Sequence, residues 1–280
     1  MSSKSWGLAL SGGAAYGIAN VGVIEVLEQE GLHPDYIAGS SMGAIVGAVY
    51  ALGHPAAVLR TIVEELDMLN VARLSKKPFQ GGLHGGLLRP RLQEILEEYI
   101  GEATIGDCRI PFACVAGRIL DPIKWQTILK KGFIDHFLER VTPYIFDKDT
   151  RLIDAVLASS AIPVVFSPYV IQDQEYVDLV HFGSIPSRVL RQQFQPDLVI
   201  ATDTNPSYKT LRRILPDAWD IFLEEGEKQL DLDRKDADVL IVPDHPYAIF
   251  RFDKASAFIK AGQKETLKKL PEIQKVLKMQ

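Results

Sequence analysis

Cysteine is scarce in this chain: Cys108 and Cys114 are the only two in 280 residues. They sit six apart and could pair, but a reduced, cytoplasmic protein is the simpler expectation. No histidine cluster stands beside them to complete a metal site. Basic charge is also in short supply. The formal net charge is −5, and no basic stretch offsets it, which argues against a nucleic-acid partner. A secretory layout is missing, because Lys4 is followed by only a short apolar run, Trp6 to Leu10. One uncharged run, Tyr36 to Gly53, has the 18 residues of a membrane span. Its four glycines and two serines fit a strand, turn and helix better. Repeats, low-complexity segments and convincing linkers are absent too. Residues 1–280 are therefore expected to form a single domain.

What is present is an alternation of short apolar runs with amphipathic ones. Trp6–Leu10, Tyr36–Ala38, Pro111–Ala116, Leu198–Ala201 and Val239–Val242 read as buried strands. Lys124–Leu129 is a further candidate strand. Tyr169–Ile171 and Glu175–Val177 flank Gln172-Asp173-Gln174 and suggest a hairpin. Helices are expected up to about Glu30, from Pro55 to about Leu66, and over Pro90–Ile100, Leu152–Ser160, Pro186–Gln193 and Ala255–Leu277. In the last of these, Phe258, Ile259, Leu267, Leu270 and Ile273 are expected to face the core. Phe133–Phe146 is ambiguous between helix and loop. The pattern predicts an α/β fold of three layers, α/β/α, with a mostly parallel central sheet.

The pivotal stretch is Gly39-Ser40-Ser41-Met42-Gly43, a G-x-S-x-G pattern between an apolar strand and a helix. That is the context of a nucleophile elbow, where a tight turn exposes a serine hydroxyl at a helix N-terminus. The plainer alternative is a turn whose serines cap the helix. Upstream, Ser11-Gly12-Gly13 leaves the first strand. Its backbone N–H groups could bind a developing oxyanion, or the loop could bind a phosphate. Neither G-x-G-x-x-G nor G-K-[ST] is matched, which weighs against the phosphate reading. A base is harder to find. The six histidines are His33, His54, His84, His136, His181 and His245. Chain order favours His181 or His245, yet no setting singles either out. Asp178 and Asp203 each follow an apolar strand, where catalytic groups often emerge, and spacing does not choose between them.

Four segments together resemble patatin-like phospholipases: Ser11–Gly17, Gly39–Gly43, Ala158-Ser159-Ser160-Ala161-Ile162-Pro163 and Tyr176-Val177-Asp178. Ile110–Ala116, Asp197–Asp203 and Phe252-Asp253-Lys254-Ala255 are similar to bacterial members. The resemblance implies a Ser–Asp dyad without a catalytic histidine, with Ser41 as nucleophile and Asp178 as base. Gly12, Gly13 and Ala14 carry over as the oxyanion-hole loop. It implies hydrolysis of a lipid or lysolipid ester and no metal or cofactor. It leaves acyl chain, head group and oligomeric state open.

Two departures accompany the resemblance. Asp178 is followed by Leu179-Val180 where the family has glycine, and Tyr16 stands where it has a basic residue. A positive backbone φ after Asp178 would strain leucine or valine. The alternative these departures motivate is a weakened or inactive relative serving as a lipid-binding or interaction module. The irregular segment 70–88 is a candidate lid, and peripheral membrane contact is expected there. The C-terminal lysines are read as the wet face of the last helix.

Overall fold

A computed structural model describes residues 4–70, 88–120, 140–162, 166–179, 184–206 and 220–278. Among the described residues, eight strands form one sheet. They are β1 (Trp6–Leu10), β2 (Tyr36–Ser40), β3 (Phe112–Ile119), β4 (Val141–Ile145), β5 (Tyr169–Ile171), β6 (Gln174–Val177), β7 (Leu198–Thr202) and β8 (Val239–Ile241). The sheet runs β5-β6-β3-β2-β1-β7-β8, with β4 also paired to β3. The centre is parallel: β3 with β2, β2 with β1, β1 with β7 and β7 with β8. The β3–β4, β3–β6 and β5–β6 pairings are antiparallel. The sheet is thus mixed and mostly parallel, as the alternating pattern predicts.

The central strands are apolar on both faces because both are covered. Leu8, Leu10, Ile37 and Ile200 point into one cluster; Ala9, Ala38, Ala113, Val199 and Ala201 point into the other. The first face carries α1 (Ala19–Gln29), α2 (Met42–Ala51), α3 (Ala56–Asn70), α4 (Leu88–Ile100), α5 (Leu152–Ser159) and α8 (Ala255–Lys278). The second carries α6 (Ser187–Phe194) and α7 (Asp220–Lys235). The small alanines of that face let Leu190 of α6 and Leu230 of α7 pack against the sheet. A fully buried leucine of this kind contributes roughly 1.5–3 kcal/mol.

Four local expectations need correction. Phe133–Phe146 is neither helix nor loop in its described part, because Val141–Ile145 pairs with β3. Helix α7 has no counterpart in the reading of the sequence, since its mean hydropathy is low and its apolar residues few. Leu267 of α8 is 55% exposed, while Gly262 and Thr266 are buried. Phe258, Ile259 and Ile273 are buried as expected, but between them the buried stripe of α8 follows the small residues Gly262 and Thr266. A Cβ at Gly262 would lie 2.0 Å from the Ala19 carbonyl oxygen, so α1 and α8 meet backbone to backbone there. Leu270 is only half-buried. Lys124–Leu129 lies outside the described residues, as does segment 70–88 apart from its two ends.

One consequence of the topology positions the site. Val115 pairs with Ser40 of β2 on one edge and with Ile145 of β4 on the other. Further along β3, Gly117 and Arg118 pair with β4 and, on the β2 side, with Val177 and Tyr176 of β6. Strand β6 therefore runs along the line that β2 vacates, in the opposite direction. The two strands end head-on. The residue after each, Ser41 and Asp178, is carried toward the same point beside β3.

Candidate active site

Ser41 turns the chain from β2 into α2 at φ 53, ψ −126, outside the regions an L-residue ordinarily occupies. Such a backbone costs on the order of 1–3 kcal/mol and persists only where its surroundings hold it. Here the hold is visible. The Ser41 N–H donates to Ser159 Oγ at 2.8 Å, and Ser159 Oγ donates to the Val115 carbonyl at 2.7 Å. The Ser41 carbonyl accepts the N–H groups of Ala44 and Ile45 at 2.8 and 3.2 Å, starting α2. A Cβ on Gly43 would sit 2.1 Å from the Leu10 carbonyl oxygen, so only glycine lets α2 begin this close to β1. Ser41 occupies the N-cap position, but its side chain makes no cap hydrogen bond. Instead the Ser41 hydroxyl donates to Asp178 Oδ2 at 2.5 Å.

Asp178 is 3% exposed, and its N–H donates to the Ala161 carbonyl at 3.0 Å. Burial raises its pKa to about 7; the Ser41 hydrogen bond opposes that rise. No cation is among the causes of the shift. The leucine after it creates no backbone strain: Leu179 is absent from the positive-φ residues, and its side chain is 1% exposed. Val180 lies outside the described residues.

The loop after β1 lies against the elbow. A Cβ on Gly12 would be 2.9 Å from Ser41 Cβ. Gly12 donates its N–H to the Ser184 carbonyl at 3.0 Å, so that donor is occupied. Gly13 has φ 123, where a side chain would also run into the Thr204 carbonyl, and Ala14 holds φ 48 despite its Cβ. Among the described residues, the N–H groups of Gly13 and Ala14 have no protein acceptor. The loop is pinned from below by residues that pattern reasoning did not single out. Ser11 N–H donates to Thr202 Oγ1 at 2.9 Å, Thr204 N–H to Ser11 Oγ at 2.8 Å, and Asn20 Nδ2 to the Ser11 carbonyl at 2.9 Å. Thr204 Oγ1 also donates to the Gly12 carbonyl. The small hydroxyl residues ending β7 carried a signal, but only the β1–β7 pairing brings them under the loop.

The other candidates lie apart. Asp203 accepts from Arg234 Nε and Nη2 at 2.8 and 2.6 Å, and from Asn205. His33 is exposed, and His54 Nε2 meets the Tyr99 carbonyl at 2.9 Å. His245 stacks on Tyr16 with ring centroids 3.9 Å apart. None of these three is a partner of Ser41 or Asp178. His84, His136 and His181 lie outside the described residues. Cys108 and Cys114 are unpaired thiols, and burial pushes both up to about 12. Among the described residues, no helix is long and apolar enough to cross a membrane. On α8, Lys260, Lys264, Lys268, Lys275 and Lys278 are exposed.

The chain is similar to known proteins. A family model described as "Patatin-like phospholipase" matches residues 8–178. An uncharacterized NTE family protein of Mycobacterium bovis is 30% identical over 216 residues, covering 74% of this chain and 51% of that protein. This chain thus spans about half the length of that relative. A lysophospholipase NTE1 of Coccidioides immitis is 54% identical over 48 residues, 17% of this chain and 3% of that protein. Among solved structures, VipD from Legionella pneumophila matches 96% of this chain and 67% of its own, at a TM-score of 0.51 and 14% identity. At that identity the likeness concerns the fold alone.

Proposed function

This chain belongs to the patatin-like phospholipase family, and from that premise we propose that it is a serine acyl hydrolase acting on a lipid or lysolipid ester through a Ser41–Asp178 dyad. The observation that carries the reading is the 2.5 Å hydrogen bond from the Ser41 hydroxyl to a buried carboxylate. A carboxylate in water, with a pKa of about 3.9, is a poor base for a hydroxyl. Held near 7 by burial, Asp178 is matched to proton transfer at neutral pH.

In the proposed reaction, Asp178 Oδ2 takes the proton as Ser41 Oγ bonds to the ester carbonyl carbon. The carbonyl oxygen becomes an oxyanion. The N–H groups of Gly13 and Ala14 are the donors in the loop that remain available to it. Gly12 then serves by clearance, leaving open the side of Ser41 where a Cβ would intrude. Collapse of the intermediate breaks the bond to the alcohol, which leaves with the proton from Asp178. Water, deprotonated by the same carboxylate, attacks the acyl-serine and releases the fatty acid. A soluble, peripheral mode of action fits this reading, with lipid reached from the surface of a membrane.

The expected outcome for Ser41→Ala is a fall in p-nitrophenyl ester hydrolysis of about 10⁴-fold or more, with the circular dichroism spectrum unchanged. A folded Ser41→Ala variant that hydrolyses the ester at the wild-type rate removes the proposal.

A further inference from the structure

Large apolar side chains left in water are unevenly placed on this molecule. Seven stand exposed among the described residues. Five of them, Leu120, Val170, Val242, Tyr247 and Phe250, lie at the end of the sheet where the parallel strands finish, the end that carries Ser41. The other two lie away from it. Leu232 is in the closing turn of α7, which leads to the start of β8, and Leu267 is about three turns along α8.

The two sides of that end differ. On one, Leu120 follows β3, and Val170 of the outer strand β5 pairs with Glu175. Both stand past the level of the dyad, because β3 runs on beyond its last pairing with β2 and the β5–β6 hairpin reaches out beside it. Asp173 closes that hairpin, so carboxylates accompany the apolar residues there. On the other side, Val242, Tyr247 and Phe250 belong to the loop 242–251 that follows β8. This loop is fastened to the turn that carries the free N–H groups of the site. His245 stacks on Tyr16, and the Ile249 carbonyl accepts the Ala15 N–H at 3.0 Å. Ala15 directly follows Gly13 and Ala14, and Phe250, 58% exposed, directly follows Ile249. The apolar tip and the oxyanion donors are therefore neighbours in space.

The β8 side also carries the cations. Arg251 and Lys254 lie over the Tyr247 ring, 5.9 and 5.8 Å from its centroid, and share Asp253. Lys264 of α8 faces Asp244 of the loop at 3.5 Å. Lys260, one turn earlier on the same helix face, is exposed and has no carboxylate partner among the described residues. Four cations thus stand against two carboxylates around this loop, on a chain whose net charge is −5. Exposed aromatic tips ringed by lysine and arginine suit the surface of a bilayer. The rings leave water for the acyl boundary while the cations meet anionic head groups.

We propose that the loop after β8 is a membrane-docking surface, with Phe250 and Tyr247 entering a phospholipid bilayer and Arg251, Lys254 and Lys260 meeting its anionic head groups. The proposal rests on the acyl-hydrolase reading for its purpose and names the surface by which the site reaches lipid. A bilayer brings ester to this end of the sheet, whereas a second copy of the chain seated there would stand in its way. The β3 side, with Asp173 and Glu175 among its apolar residues, takes the smaller part.

The test uses the Ser41→Ala chain, so that no lipid is consumed, and measures its co-sedimentation with vesicles of phosphatidylcholine and phosphatidylglycerol. Adding Phe250→Ser should lower the partition coefficient about 10- to 100-fold, the range for withdrawing one large apolar side chain. Phe250→Trp should keep it within about threefold, and Val170→Ser should change it by less than about threefold. Unchanged sedimentation of Phe250→Ser, or no binding of the Ser41→Ala chain itself, overturns the proposal. So does an equal loss in Val170→Ser, which would move the contact off the β8 side. A dimer in light scattering that Phe250→Ser converts to a monomer would make a second copy the occupant and overturn it too. The hydrolase reading is judged apart, with Ser41 intact. Phe250→Ser should hydrolyse a soluble p-nitrophenyl ester within about twofold of wild type while losing rate on vesicle lipid. If wild type leaves the soluble ester untouched, the hydrolase reading fails, and loss of sedimentation in Phe250→Ser still upholds the docking surface.

Discussion

Asp178 and Asp203 are two versions of one sequence feature: an aspartate directly after, or one residue beyond, an apolar strand, buried to 3% and 2% exposure. Their surroundings differ in one respect. Asp203 receives two hydrogen bonds from Arg234 and two from Asn205, which spend its lone pairs on structure. Asp178 receives the Ser41 hydroxyl and no cation. Burial with a cation makes an anchor. At Asp178, burial with no cation to oppose it raises the pKa to about 7 and leaves a carboxylate that gains from accepting a proton. The same residue type in the same kind of location therefore supports the chain in one place and suits base chemistry in the other.

The largest effect expected from breaking this contrast is on turnover. Asp178→Asn keeps the shape and removes the base, so ester hydrolysis should fall by roughly 10²–10⁴-fold with folding intact. Asp203→Asn should do the reverse. It leaves Arg234 without its partner and should lower stability by about 1–3 kcal/mol, less than the 3–5 of a wholly buried pair because Arg234 remains partly exposed. Urea denaturation checks the second and initial rates the first. Comparable rate losses in both variants would erase the distinction between the two aspartates.

A smaller effect concerns stability and pH. The folded pKa of Asp178, about 7, lies above the unfolded value of about 3.9. The folded state therefore binds the extra proton between those values. The contribution of Asp178 to stability is present below about pH 4 and is lost as pH rises to about 7. Asp233, raised to about 6 by burial, acts in the same direction. The melting temperature of wild type should fall relative to Asp178→Asn across this window, and the difference between the two isolates Asp178. Parallel curves would place its folded pKa near the ordinary value.

The sequence made the parallel core legible because each central strand is an unbroken apolar run ending in a turn signal. It made the elbow legible because Gly39 and Gly43 are spaced for a turn that tolerates no side chain. The choice of Asp178 over Asp203 came from the family resemblance alone. Spacing could not make it, because the decisive fact is that β6 runs antiparallel into the line of β2. Strand pairing of that kind leaves no local mark. Nor does Arg234, whose charge sits on a polar helix that shows no apolar periodicity strong enough to be noticed. Backbone φ leaves no local mark either. Leu179 leaves Asp178 without a left-handed turn, whereas Ala14 accepts one at φ 48.

The dyad is tested most directly by the rate at which a fluorophosphonate labels Ser41 as pH is varied. That reaction needs an activated serine and no lipid recognition. In wild type the rate should climb with pH through a midpoint near 7 and level off above it, following ionisation of Asp178. Asp203→Asn should keep that profile, and Asp178→Asn should lose it together with most of the rate. A pH-independent rate in wild type, or labelling of Asp178→Asn at the wild-type rate, would contradict the pairing of Ser41 with Asp178 as nucleophile and base.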